Sequence, residues 1–153
     1  MIGSADAYPE MKNDYEKLYP YLSDQTLFLF EYAQCLNKAG EYAKSNQVLE
    51  QAIKISCDPM LYNIIGKNYQ SFKNYQLAEQ NFLMASHIVP SRIYPYYLLA
   101  NLYTESGNTR KAMLMAQMVL EKEPKVQSTA VNEMREKMWV LIKKTNKNLQ
   151  TIE

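Results

Sequence analysis

Between Tyr62 and Pro90 the chain sets out Tyr62, Ile65-Gly66, Tyr69, Tyr75, Ala78, Phe82, Ala85 and Pro90. The frame returns 34 residues later as Tyr96, Leu99-Ala100, Tyr103, Ala112 and Pro124. A looser copy stands 33 residues earlier, with Leu29, Tyr32-Ala33, Leu36, Tyr42, Ser45, Leu49 and Ala52. Steps of three and four inside each copy place these side chains on one face of a helix. A unit this short cannot bury such a face alone, so its copies must stack on one another. Three copies in register leave little room for any fold other than a helical array.

The spacing of aromatic, aliphatic-small pair, Tyr, Ala, Phe, Ala and Pro resembles the tetratricopeptide repeat. The resemblance implies an all-α fold: a right-handed superhelical stack of three helix pairs, with an N-terminal helix and a C-terminal capping helix. On this reading residues 1–153 form one domain. The N-terminal helix takes 8–22, the repeats take 26–58, 59–92 and 93–126, and the cap takes 128–145.

The composition agrees. With 13 Tyr against only 4 Gly and 6 Pro, the chain has many aromatics to plug gaps between helices and few breakers. A net charge of +1 provides no general attraction for nucleic acid or an anionic membrane. Cys35 and Cys57 form no CxxC and read as isolated thiols or packing residues. The N-terminus lacks a basic region followed by an apolar core, and the most apolar run, Leu27-Phe28-Leu29-Phe30, is far too short to span a bilayer. The chain is expected to be soluble, without direct membrane insertion by this segment, and cytoplasmic if it is complete.

Taken in order, a first helix is expected over 10–19, stopped near Pro20, with Tyr8, Met11, Tyr15, Leu18 and Leu22 as its apolar face. Ser23-Asp24 offers an N-cap for a helix over 25–38 that ends at Gly40. Its partner runs over 41–55. Asp58-Pro59 restarts the chain, Asp as cap and Pro where an amide hydrogen would be orphaned anyway. The second pair covers 60–72 and 75–87, the third 94–105 and 109–122, with Ser106-Gly107-Asn108 as its turn. Ser128 caps a last helix over 129–144 with the stripe Val131, Met134, Met138 and Leu141. Trp139 and Ile142 are expected half-buried, and the tail from residue 146 frayed.

Small residues on the first helices (Ala33, Gly66, Ala100) and second helices (Ala78, Ala112) allow close approach of helix axes. Where the frame expects Ala, repeat one has Ser45. Where it expects Phe, repeat three has Ala116, which leaves an aromatic-sized vacancy. Met113, Met115, Met118 or Met138 is expected to fill it, since Met adapts to irregular gaps.

No catalytic or metal motif emerges, and no cofactor is expected. There is no GxGxxG, GxxxxGK[ST], HExxH or GxSxG, and His87, the only His, is expected to face solvent. Glu133 and Glu136 alternate with basic residues like a solvated helix side. A small hydrolase would need a pocket joining His87 to a nucleophile and a carboxylate. The expectation is a non-enzymatic module whose partner is a protein or peptide.

The inward-curving flank of the first helices carries Leu27, Phe30, Gln34 and Asn37, then Met60, Asn63, Lys67 and Gln70, then Tyr94, Tyr97, Asn101 and Thr104. Amides can both donate to and accept from an extended peptide backbone, and aromatics supply contact area. The candidate partner-binding groove is therefore Phe30, Gln34, Asn37, Asn63, Lys67, Gln70, Tyr94, Tyr97 and Asn101. The Lys, Asn and Arg clamp of chaperone-tail binders is absent, its places being held by Phe30, Gln34, Ile64, Tyr94 and Leu98.

The run from Pro90 through Ile93-Tyr94-Pro95-Tyr96-Tyr97 to Ala100, with Gly107-Asn108, Lys111-Ala112 and Pro124-Lys125-Val126, supports a narrower resemblance. It is similar to the repeat region trailing the membrane part of O-antigen ligase or polymerase-like proteins of Bacteroidetes. That resemblance implies a soluble accessory domain of a glycan-assembly machine, with none of the catalytic membrane residues present.

Overall fold

The computed structural model describes residues 7–150, which form eight α-helices and no strand. They are α1 (Ala7–Leu22), α2 (Thr26–Lys38), α3 (Tyr42–Ile55), α4 (Pro59–Ser71), α5 (Tyr75–Ile88), α6 (Tyr94–Glu105), α7 (Thr109–Glu121) and α8 (Thr129–Gln150). They gather into two compact units, Met1–Ala78 and Glu79–Glu153, with the boundary inside α5.

In the first unit α2 and α3 pack as a hairpin, α4 lies against both, and α1 covers α2. Leu29, Ala33, Leu36, Leu49, Ala52, Leu61 and Ile65 form its core. Ala33 is fully buried, as close helix packing requires. The hairpin closes through a left-handed residue, Gly40 at φ +79°. Its N–H reaches Asn37 O at 3.0 Å, and the N–H of Glu41 reaches Leu36 O at 2.9 Å. Those two bonds use carbonyls that the helix end would leave orphaned. Gly107 repeats the arrangement after α6, at φ +80°. After α4 the place falls to Lys73, at φ +57°. It makes the same pair of bonds, to Gln70 O and, through Asn74, to Tyr69 O.

The sequence-based face of α1 is rotated in the structure. Tyr15, Tyr19 and Leu22 pack on the core, while Met11 and Leu18 are exposed. Ring contacts explain the choice, because Tyr15 stacks on Tyr32 at 5.4 Å and Tyr19 lies 5.8 Å from it. Ion pairs on the same face fix the rotation: Lys12 meets Glu41, and Glu16 meets Lys44 at 2.5 Å. Pro20 does not stop the helix. It removes one hydrogen bond in the last turn, where the helix has only two residues left to run. Nor does Ser23 or Asp24 cap α2. The Gln25 N–H bonds to Leu22 O at 3.0 Å, so both fall inside the turn, and Gln25 becomes the N-cap without a side-chain bond. Asp58 and Ser128 do cap, accepting from the N–H groups of Met60 at 2.9 Å and Val131 at 3.2 Å.

In the second unit α6 and α7 form the hairpin and α8 packs on both. Ala116 and Val119 share a cluster with Ile93, Tyr96, Ala100 and Met138. Met138 is the buried Met among the four candidates for the vacancy. Val131, Leu141 and Ile142 pack beside it. Arg135 adds a polar hold, its guanidinium donating to the carbonyls of Leu120 at 3.2 Å and Lys122 at 2.5 Å at the end of α7. The last helix is longer than expected. It runs to Gln150, so residues 146–150 are helical, and 151–153 lie outside the described residues. Trp139 is 52% exposed, at the open edge of what was expected, because the packing face runs through Met138, Leu141 and Ile142.

Glu79 ties three helices of this unit together. It accepts from the Tyr103 hydroxyl at 2.5 Å and from Lys111 Nζ at 2.9 Å, and Lys111 lies 5.0 Å from the Tyr103 ring centre. The Lys111 ammonium first, and the Tyr103 hydroxyl second, hold the Glu79 carboxyl below its ordinary 4.5. Burial, then the Glu79 bond, push the Tyr103 phenol well up.

Two predictions follow from these contacts. Replacing Lys73 with Gly removes left-handed strain of about 1–2 kcal/mol, against a glycine entropy cost of roughly 0.5–1 kcal/mol. Lys73→Gly should therefore stabilise by about 0.5–1 kcal/mol in urea unfolding, and a loss of stability would contradict the strain. The depressed pKa of Glu79 means that its stabilisation is present above pH 4.5 and fades as pH falls through the folded value. Melting curves from pH 7 to 3 should show Glu79→Gln less stable than wild type at neutral pH, with the two converging in acid. Parallel curves would deny the carboxylate this role.

Candidate functional site

The candidate groove residues sort by their position in the repeat. Phe30, Asn63 and Tyr97 occupy one register position on α2, α4 and α6. All three turn towards the interior: Phe30 and Tyr97 pack beside the cores of their units, and Asn63 is 1% exposed. Four residues on, Gln34 and Asn101 are half-buried and Lys67 is exposed. Within each unit, then, the first of these positions is held in the packing and the second is at least partly open to water. Asn63 is the clearest departure. Its Nδ2 donates to Met60 Sδ at 3.6 Å, while its Oδ1 is buried without a partner. An unmet buried acceptor costs about 1–3 kcal/mol. The amide must rotate before it can meet any ligand.

Asn37 is committed elsewhere. Its Nδ2 donates to Asn68 Oδ1. Asn68 Nδ2 in turn donates to Ser45 Oγ at 3.0 Å and Asn46 Oδ1 at 2.7 Å, and Ser45 Oγ donates to Ala33 O at 2.8 Å. Asn68, Ser45 and Asn46 are all buried, so a polar seam joins α2, α3 and α4 inside the first unit. Sequence reasoning missed Asn68. Its signal was a pair of departures, Ser45 where Ala belongs and a short amide one residue after Lys67. Ser45 keeps the small volume the frame needs and adds the hydroxyl that the seam uses.

On α6 the Tyr94 and Tyr97 rings stack, with centroids 6.4 Å apart and planes 20° from parallel. Asn101 follows one turn after Tyr97. Burial pushes the Tyr94 phenol above its ordinary value, with Tyr97 the lesser cause. Gln70 is half-buried and bonded.

A polar hollow of the first unit, about 380 Å³, is lined by Glu16, Tyr19, Tyr32, Lys44, Gln47, Val48 and Gln51. Its side chains already answer one another, Glu16 with Lys44 and the Tyr19 hydroxyl with Gln51. His87 is exposed in the last turn of α5. Cys35 is buried, its thiol donating to Tyr8 O at 3.7 Å, and burial raises its pKa. Among the described residues no three His, Cys, Asp or Glu side chains gather to hold a metal ion, and no helix is long and apolar enough to cross a membrane.

The chain is similar in structure to MamA, with a TM-score of 0.70 and 15% identity over 99% of this chain and 97% of that one. It is also similar to the TPR domain of Sgt2 from Aspergillus fumigatus, with a TM-score of 0.65 and 16% identity over 80% and 82% of the two chains. A third likeness is the type III secretion chaperone SycD of Yersinia enterocolitica, solved in complex with a peptide of the translocator YopD. There the TM-score is 0.57 with 19% identity over 73% and 90% of the two chains. The fold is that of a tetratricopeptide-repeat (TPR) protein. The all-α TPR architecture expected from the 34-residue frame therefore holds. No protein-family model and no curated protein matches the chain, so the narrower likeness to O-antigen ligase regions finds no support.

The polar seam generates a quantitative expectation. Asn68→Ala strands Asn37 and Asn46 in or beside the core and should cost about 2–4 kcal/mol. Urea unfolding should show a lower midpoint with an unchanged slope. A loss below about 1 kcal/mol would mean that water replaces the amide.

Proposed function

We propose that this TPR chain is a non-enzymatic protein-interaction module that receives a segment of a partner protein on α6, the first helix of its second unit's hairpin. The observation that carries the reading is the stacked Tyr94–Tyr97 pair with Asn101 one turn further along α6. Two rings held parallel form a rigid aromatic surface that a partner side chain can cover at little entropic cost. The Asn101 amide beside them offers one donor and one acceptor, the pair an extended backbone presents.

In the first unit the row of Gln34 and Lys67 stands at the register position of Asn101, and Gln70 lies one turn beyond Lys67. Lys67 adds a charge favouring a segment that carries an acidic residue. Phe30 and Asn37 support that first-unit row from inside, Phe30 through the core and Asn37 through Asn68. Fold likeness to SycD, solved with a peptide, supports an interaction role.

The test is selection of phage-displayed random peptides on the purified protein, followed by affinity measurement on Tyr94→Ala with Asn101→Ala. Removing an aromatic anchor commonly costs about 2 kcal/mol, near 30-fold in affinity. Peptides enriched on wild type should lose at least that factor on the variant, with its helical melting transition retained. Tyr97 is left intact because it packs beside Tyr96 and Ala100, so its removal would mix binding with stability. No enrichment, or equal affinity for both proteins, would overturn the reading.

A further inference from the structure

We propose that the outer face of α8 is a self-association surface, where the helix pairs antiparallel with α8 of a second copy of this chain. The inner face of α8 is occupied by the α6–α7 hairpin through Val131, Met138, Leu141 and Ile142. On the other side Trp139 is 52% exposed and Val140 58% exposed, neighbours in sequence and both large and apolar. An end-capping helix requires only a polar outer face, so these two side chains are unexplained by the fold. Val140 also lines an open depression of about 400 Å³ together with Glu133, Glu136 and Lys137.

Charge order along the helix selects the occupant. Glu133 and Glu136 precede the apolar pair, whereas Lys143, Lys144 and Lys147 follow it. Glu136 lies three residues before Trp139, and Lys143 lies three residues after Val140. At 100° per residue Glu136 and Lys143 fall within about 20° of each other, on a line midway between Trp139 and Val140. A two-fold axis passing between Trp139 and Val140 therefore brings Glu136 against Lys143 of the second copy, and does so twice. It also places each Trp139 beside the other and each Val140 beside the other, while Glu133 approaches Lys144 of the second copy. Lys137 is the one like-charged neighbour of that Lys144, at the flank. A parallel pairing would set Glu against Glu and Lys against Lys. In the single copy Lys143 lies 5.0 Å from the Trp139 ring centre, already at the edge of the surface it would join.

One helix pair makes a small interface, so the association belongs to the weak class, with a Kd of roughly 10–500 μM. Trp139 is the only Trp, which makes its fluorescence a direct reporter. Sedimentation velocity and Trp emission should be followed together across that concentration range. The expected result is a shift from monomer to dimer, accompanied by a blue shift of emission and weakened by salt. Glu136→Lys alone and Lys143→Glu alone should each remain monomeric. An equimolar mixture of the two, or one chain carrying both changes, should dimerise again. A monomer at every concentration, a dimer indifferent to both single reversals, or a failure of the mixture to recover would overturn the proposal.

Discussion

Helices of 12–14 residues, the length of α2 to α7, do not persist alone in water. Everything in this chain follows from the need to give each of them a covered face within a few residues of its end. The hairpin is the shortest answer, and it works only if the connecting turn reverses the chain while using the last carbonyls. That is why Gly40, Lys73 and Gly107 share one backbone conformation and one pair of bonds, although only two of them are Gly. The tight reversal then sets Ala33 and Ala100 deep in their units, where a larger side chain would force the axes apart.

Apolar contact supplies the drive to pack, but it does not specify register well. The Asn68 seam and the Glu79 junction do, since each is satisfied only when three helices sit at fixed offsets. A helix sliding by one turn would keep most of its greasy contacts and lose every one of these bonds. Buried hydrogen-bonded groups are therefore markers of arrangement more than sources of stability. Arg135 plays the same part at the junction of α7 and α8, where it reads the position of two carbonyls.

Much of this was legible. The 34-residue frame yields the repeat helices to within a few residues, local residues mark the caps at Asp58 and Ser128, and Met138 is one of four Met offered for the gap near Ala116. The misses share a cause. The face of α1 and the continuation through Pro20 depend on which neighbour wins a contact, and periodicity records only that a face exists. Met11 and Leu18 fit the pattern as well as Tyr15 and Tyr19, and the rings of Phe28 and Tyr32 decided between them. The candidate groove is legible to the same depth. Its positions recur in the sequence, yet only the structure separates the buried Asn63 from the exposed Lys67 at the next turn of the same helix.

The side-chain ties between helices described above span only 12 to 32 residues, from Ser45 with Ala33 to Lys111 with Glu79. No long loop has to close before they form, so the entropy of chain closure is met in small instalments. Chains with contacts this local reach the native state in milliseconds or less. During synthesis, each hairpin can therefore begin to form its contacts soon after its second helix leaves the ribosome, and it is held once the next helix stacks on it.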